Sequence, residues 1–116
     1  MSTQSDCLFC KISSGVIPAT IIAESQSAIA FRDIDPKAPT HILVIPKSHF
    51  TDVTELTQSD PNLAGELLKL ASDVAQSEGL TKGYRIVTNT GEDAGQSVAH
   101  VHFHVLGGRS LAWPPG

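Results

Sequence analysis

The sequence predicts an α+β domain in which an antiparallel sheet of about five strands carries one long helix on a face. Three observations support this. The run His100-Val101-His102-Phe103-His104-Val105 alternates imidazole with apolar side chains. In an extended chain that sets the three histidines on one face and the apolar residues on the other. The run His41-Ile42-Leu43-Val44-Ile45 is continuously apolar after its first residue, as suits a buried central strand, and Pro46 stops it. Finally, Leu63, Leu67, Leu70, Ala71 and Val74 fall on one stripe at helical spacing, the pattern of a helix laid against a sheet.

In chain order, residues 20–23 and 28–31 read as short strands joined by a polar turn over 24–27. Pro36 and Pro39 mark an irregular connection, because proline removes ladder donors and restricts its predecessor. The apolar strand follows, then the long helix. Asp60 can cap that helix, Pro61 suits its first turn, and Gly79 can end it. Residues 84–90 form a further strand, 91–97 a loop, and the histidine run the last strand. The tail Trp113-Pro114-Pro115-Gly116 cannot be regular structure.

At 116 residues the chain is one domain, 1–116, near the size where oligomerisation helps. A hydrophobic fraction of 41% and a charged fraction of 17% fit a soluble globular protein. The net charge of −4 argues against nucleic acid or a membrane surface as partner. A small phosphate ligand stays open, because backbone amides hold phosphate without a basic patch. No apolar stretch approaches the ~20 residues needed to span a bilayer. The start of the chain, residues 1–6, is short and polar, without a signal-peptide pattern. Two cysteines do not make a secreted disulfide framework, so the expected location is the reducing cytoplasm.

Three of the chain's five histidines stand in the last strand. Side by side, groups of ordinary pKa ~6.5 cannot all be comfortably protonated. The pattern offers neutral imidazole for nucleophilic attack, proton transfer or metal binding. The loop Gly91-Glu92-Asp93-Ala94-Gly95-Gln96-Ser97 feeds directly into it. Its small residues let amides approach a ligand closely, and Ser97 adds a hydroxyl. Together they suggest imidazole attack on an electrophilic phosphorus or carbonyl, with anion stabilisers alongside. One rival is a hydrolase using the imidazoles as ligands of a catalytic metal, a design that loses activity to a chelator and regains it with Zn²⁺. Another is a nucleotide-binding regulatory module whose hydrolysis is incidental. Separately, Cys7-Leu8-Phe9-Cys10 is a C-x-x-C pair for which metal outranks a disulfide in a reducing compartment. Structural zinc needs four ligands, and the candidates for the other two are His49 and His100. A reduced packed pair and a thioredoxin-like motif are the competing readings. The second suffers because the pair does not follow a strand in a βαβ unit.

The histidine run followed by Leu106-Gly107-Gly108-Arg109 resembles the His-φ-His-φ-His-φ-φ signature of the histidine triad (HIT) superfamily. The likeness spans nearly the whole chain, through Phe9 to Ile12, Ala30-Phe31-Arg32-Asp33-Ile34, Pro39-Thr40-His41 and the strand to Lys47, and Lys82-Gly83-Tyr84-Arg85. Gly95-Gln96-Ser97 and the terminal Trp-Pro-Pro-Gly are similar to the nucleotide-binding Hint branch rather than the diadenosine-polyphosphate hydrolases. This resemblance implies a purine nucleoside phosphoramidase cleaving the P–N bond of adenosine or guanosine 5′-monophosphoramidates and acting on aminoacyl-adenylates. It casts His102 as the nucleophile that becomes nucleotidylated and His104 as a phosphate contact. Ser97 with the amides of Gly95 and Gln96 contacts phosphate and leaving group, Asp33 the ribose hydroxyls, Ile34 the base and Asn89 the nucleotide near ribose and phosphate. His41 matches a buried histidine that communicates with the triad. Asp33 could also simply begin its turn, and Asn89 could satisfy a strand end. Relatives with the same cysteine pair hold zinc with two histidines, which implies Cys7, Cys10, His49 and His100 as ligands. It would remove His100 from acid–base work, and the chemistry itself then needs no cofactor. A C2 homodimer is expected, with an exposed sheet edge at 84–90 inviting pairing of the two sheets. In the Hint branch the tail of one subunit lies close to the other's active site, making Trp113 a candidate contributor to substrate selection.

Overall fold

The central strand fixes the architecture. In β3 (Thr40–Pro46) every residue is buried, so both faces of the strand must be covered. It lies third in one antiparallel sheet of order β1-β2-β3-β5-β4, with β1 (Ile21–Glu24), β2 (Ala28–Arg32), β4 (Tyr84–Val87) and β5 (Phe103–Gly107). The computed structural model describes residues 6–116, so the polar stretch before Asp6 is outside the described residues. No described helix is long and apolar enough to cross a membrane.

One sheet face is covered by the long helix α3 (Pro61–Ser77). Asp60 caps it, its carboxylate accepting from the Leu63 amide at 3.1 Å, and Pro61 occupies the first turn, where its missing N–H costs nothing. Leu63, Leu67, Ala71 and Val74 pack on Ile42, Val44, Val101, Phe103 and Val105. Ala28 and Ala30 on the strand side, with Ala71 and Ala75 on the helix, keep the two layers close. The opposite face packs Ile29, Phe31, Leu43 and Ile45 against Phe9.

Phe9 belongs to a helix the sequence pattern did not reveal, α1 (Leu8–Ser13), and α2 (Val53–Ser59) is a second such helix. Both are too short to show apolar periodicity. The last strand is shorter than its alternation suggests. It pairs only from Phe103, because the Val101 amide donates at 2.7 Å to the Phe50 carbonyl rather than to a neighbouring strand. The alternation nonetheless persists ahead of the ladder, since Val101, Phe103 and Val105 all enter the helix-facing core. Similarly, β4 ends at Val87, three residues before the expected 90.

Candidate active site

Strand register brings the histidines together. Leu43 of β3 pairs with His104 of β5, and His41 with Leu106. His41 and His104 are therefore diagonal neighbours on one face, within reach of each other's rings. His41 Nε2 lies 2.8 Å from His104 Nδ1. His102 continues the same face, its ring centroid 5.0 Å from that of His104.

Partners that act in one sense only assign each ring's proton. A carbonyl can only accept, so His102 Nδ1 carries a hydrogen and donates it to the His100 carbonyl at 2.8 Å. Its Nε2 lone pair is left for chemistry. A backbone amide can only donate, so His41 Nδ1 accepts from Lys37 at 3.0 Å and its Nε2 holds the proton. That N–H donates to His104 Nδ1, which places the remaining hydrogen of a neutral His104 on Nε2. His100 Nε2 donates to the Pro46 carbonyl at 2.9 Å, freeing Nδ1. Burial keeps all four rings neutral. It pushes His100 down to about 4, and His104 to about 4 with help from its neighbours His102 and His41. His102 and His41 are likewise lowered, chiefly by burial. Asp33 Oδ2 lies 3.4 Å from His41 Nε2, a close approach to a neutral ring whose Nε2 hydrogen is already given to His104, and not an ion pair. Its Oδ1 accepts from the Asp35 amide at 2.8 Å, so Asp33 shapes the turn and also faces the relay. Asp33, His41 and His104 thus have metal-like spacing. The two imidazole nitrogens of that set, however, His41 Nε2 and His104 Nδ1, are already joined by the His41 proton.

His102, His104, Ser97, Asp33 and Ile34 line a cleft of about 260 Å³ whose floor is the apolar Phe9, Phe31 and Leu43. Ile34 stands at its mouth, 99% exposed among the described residues. The loop behaves differently from expectation. The Gly95 amide donates to Glu92 and the Gln96 amide to Gly91, so neither faces a ligand as proposed for phosphate contact. The Gln96 side chain bonds Thr51, Val98 and Gly91, stapling the loop to the segment before α2. Asn89 is half-buried beyond β4 and is not among the residues that line the cleft. Phe9, the His100 carbonyl, and Thr88, whose hydroxyl donates to the His102 carbonyl at 2.9 Å, support the site without having been singled out from sequence. Only the C-x-x-C motif, with Phe9 inside it, hinted at any of them.

On the far side of His100, Cys7, Cys10, His49 and His100 offer four ligand atoms within 4.8 Å of one another. His100 Nδ1 is 3.3 Å from Cys7 Sγ and 3.5 Å from Cys10 Sγ, and His49 Nδ1 is 3.4 Å from Cys10 Sγ. Ideal Zn–S and Zn–N bonds at a tetrahedral angle put sulfur and nitrogen about 3.5 Å apart. The residues therefore fit zinc in spacing, in donor type and in the His100 tautomer, which the Pro46 carbonyl fixes from behind.

A family model described as the HIT domain matches residues 14–111. An uncharacterised HIT-like protein of Synechococcus elongatus is 52% identical over 111 residues, covering 96% of this chain and 97% of its own length. The crystal structure of a HIT family hydrolase from Legionella pneumophila superposes with a TM-score of 0.92 at 49% identity, over 96% of this chain and 100% of that one. A histidine triad nucleotide-binding protein from Candida albicans superposes with a TM-score of 0.82 at 30% identity, over 94% of this chain and 83% of that one.

Proposed function

From the premise that this chain belongs to the HIT domain family, we propose that it hydrolyses purine nucleoside 5′-monophosphoramidates and related aminoacyl-adenylates through a nucleotidyl-histidine. The observation that carries this reading is the His102 tautomer: Nδ1–H bound to the His100 carbonyl, with the Nε2 lone pair available. That lone pair attacks the α-phosphorus, forming a P–Nε2 bond as the P–N bond to the amine breaks. The bonding electrons leave with the amine nitrogen, which takes up a proton. As positive charge develops on the ring, the His100 carbonyl stabilises it through Nδ1–H. Water then attacks phosphorus, the P–Nε2 bond breaks, and the mononucleotide leaves. Such a covalent route splits one difficult displacement into two easier ones.

His104 Nε2–H supplies a hydrogen bond to a phosphoryl oxygen, with His41 holding that proton in place. Ser97 contacts the phosphate and leaving group from the cleft wall. Asp33 takes the ribose hydroxyls and Ile34 one face of the base. Cys7, Cys10, His49 and His100 would hold zinc, which would serve there as a structural link between their segments. Ligands of this kind need a reducing compartment, which favours the cytoplasm. Two copies joined along β4 form the working unit. A hydrolase using His41 and His104 as metal ligands would have to break the 2.8 Å bond between them and displace its proton.

Trapping tests the reading. The protein is incubated with labelled adenosine phosphoramidate, quenched in mild base, and mapped by mass spectrometry. Label on His102 is expected. His102→Ala should abolish turnover and leave mononucleotide affinity largely intact. Turnover surviving in that variant overturns the mechanism, and tight nucleotide binding without turnover on any phosphoramidate would make the protein a binding module.

A further inference from the structure

Phe9 lies between the two cysteines, and its ring reaches past them to the other side of the site. It meets the His102 ring edge-on, centroids 5.0 Å apart and planes at 82°, and also touches His100 at 5.9 Å and Phe31 at 5.7 Å. A second tie to His102 runs through the main chain. The His100 ring belongs to the Cys/His cluster, while its carbonyl accepts the His102 Nδ1 hydrogen. The His102 ring is thus gripped by one aromatic edge, that of Phe9 in the cleft floor, and by one carbonyl behind it, and each belongs to a segment that carries cluster ligands. None of the four ligands lines the cleft itself.

We propose that the Cys7–Cys10–His49–His100 cluster, closed on zinc, is a positioning device for His102 that acts through Phe9 and the His100 carbonyl. The inference rests on the reading of His102 as nucleophile. A helix of six residues such as α1 has little stability of its own, so its place depends on what anchors it. Two of its anchors are the buried Phe9 and Cys10. The Cys7 sulfur accepts the Cys10 amide at 3.4 Å, so the ligand pair also caps the helix. Drawing His49 and His100 onto the same ion ties α1 to the segments that follow β3 and precede β5. An imidazole free to turn about its side-chain torsions loses alignment with phosphorus, and misplacement by ~1 Å can cost about 100-fold in rate. The cluster therefore acts on the chemical step, whereas Leu8 and Ile12, on the cleft side of α1, bear on nucleoside binding.

Two variants and one spectroscopic signal test this. His49→Gln removes a ligand that does not line the cleft, and Phe9→Leu retains all four ligands. In His49→Gln stripped by a chelator, we expect kcat at saturating substrate to fall on the order of tenfold, the cost typical of disturbed support around a site. The slowly exchanging His102 Nδ1–H resonance should broaden away, with the far-ultraviolet circular dichroism unchanged. Phe9→Leu should keep one zinc per chain by elemental analysis yet lose kcat to a similar degree. Wild-type kcat and an intact Nδ1–H resonance in zinc-free, folded His49→Gln overturn the proposal, as does undiminished kcat in Phe9→Leu. Failure of the underlying reading looks different. The covalent label would map away from His102, while the Nδ1–H resonance would still report whether the cluster holds the ring.

Discussion

Every imidazole of the relay has its proton fixed, directly or through its neighbour, by a backbone group that can act in only one sense, and His41 is the neighbour that fixes His104. With His41→Leu, His104 Nδ1 loses its donor and its tautomer is no longer fixed. Turnover should fall by roughly 10–100-fold while mononucleotide affinity changes far less, as disturbed second partners usually cost; steady-state kinetics beside calorimetric titration would show it, and an unchanged kcat would deny His41 any part. The same burial makes stability pH-dependent. His104 titrates near 4 in the fold but ~6.5 when unfolded. Between those values the unfolded chain binds the extra proton, so the contribution is complete above ~6.5 and is lost as pH falls toward 4. At most this is roughly 3 kcal/mol from the one ring. Urea unfolding at pH 7 and pH 4.5 should show the decline, with a shallower one in His104→Asn; equal slopes would mean that the ring titrates normally in the fold.

Elements differ in how legible they were. The sheet-facing stripe of α3 and its cap at Asp60 could be read directly, because each is a local pattern with one physical cause. Asp60→Ala should cost about 1 kcal/mol through loss of the Leu63 amide bond. Leu67→Ala should cost about 2–5 kcal/mol, since Leu67 is 0% exposed between helix and sheet. Both are measurable by denaturant titration, and a cost for Leu67 below that of the cap would mean that this packing does not dominate. α2 did have a signature in the Asp52-x-x-Glu55 spacing: Asp52 caps by accepting from the Glu55 amide, and Glu55 reaches back past the cap to the Thr51 amide at 2.6 Å. α1 had none, because its N-cap is a cysteine whose spacing reads first as metal chemistry. The histidine face was visible as alternation, but the ring tautomers were not. They depend on the Lys37 amide and on the carbonyls of Pro46 and His100, whose directions only the fold sets. The same holds for the loop at 91–97, whose composition suggests free amides but whose own turn hydrogen bonds use those of Gly95 and Gln96.

At the scale of the molecule, the sheet edge formed by β4 is the one the tail meets. β4 pairs with β5 on one side and with nothing on the other among the described residues, and Tyr84 at its start is 40% exposed. Proteins usually blunt such an edge by charge, a bulge or a partner. Here the tail is tied to that same strand, for Arg85 donates to the carbonyls of Leu111 and Ala112 at 3.4 and 2.9 Å. Beyond this tie Trp113 is 81% exposed, a large apolar ring left largely uncovered by the described residues. An open edge and an uncovered indole on neighbouring segments suit a second copy meeting both across a two-fold axis. Sedimentation velocity at micromolar concentration should therefore give a dimer. Arg85→Ala, which frees the tail while preserving the strand's backbone, should weaken it. Removal of residues 113–116 should change the relative kcat/KM of phosphoramidates with different amines more than the affinity for the mononucleotide. A monomer at tens of micromolar would leave both the strand edge and Trp113 bare in solution, and the tail could then have no role in a neighbouring site.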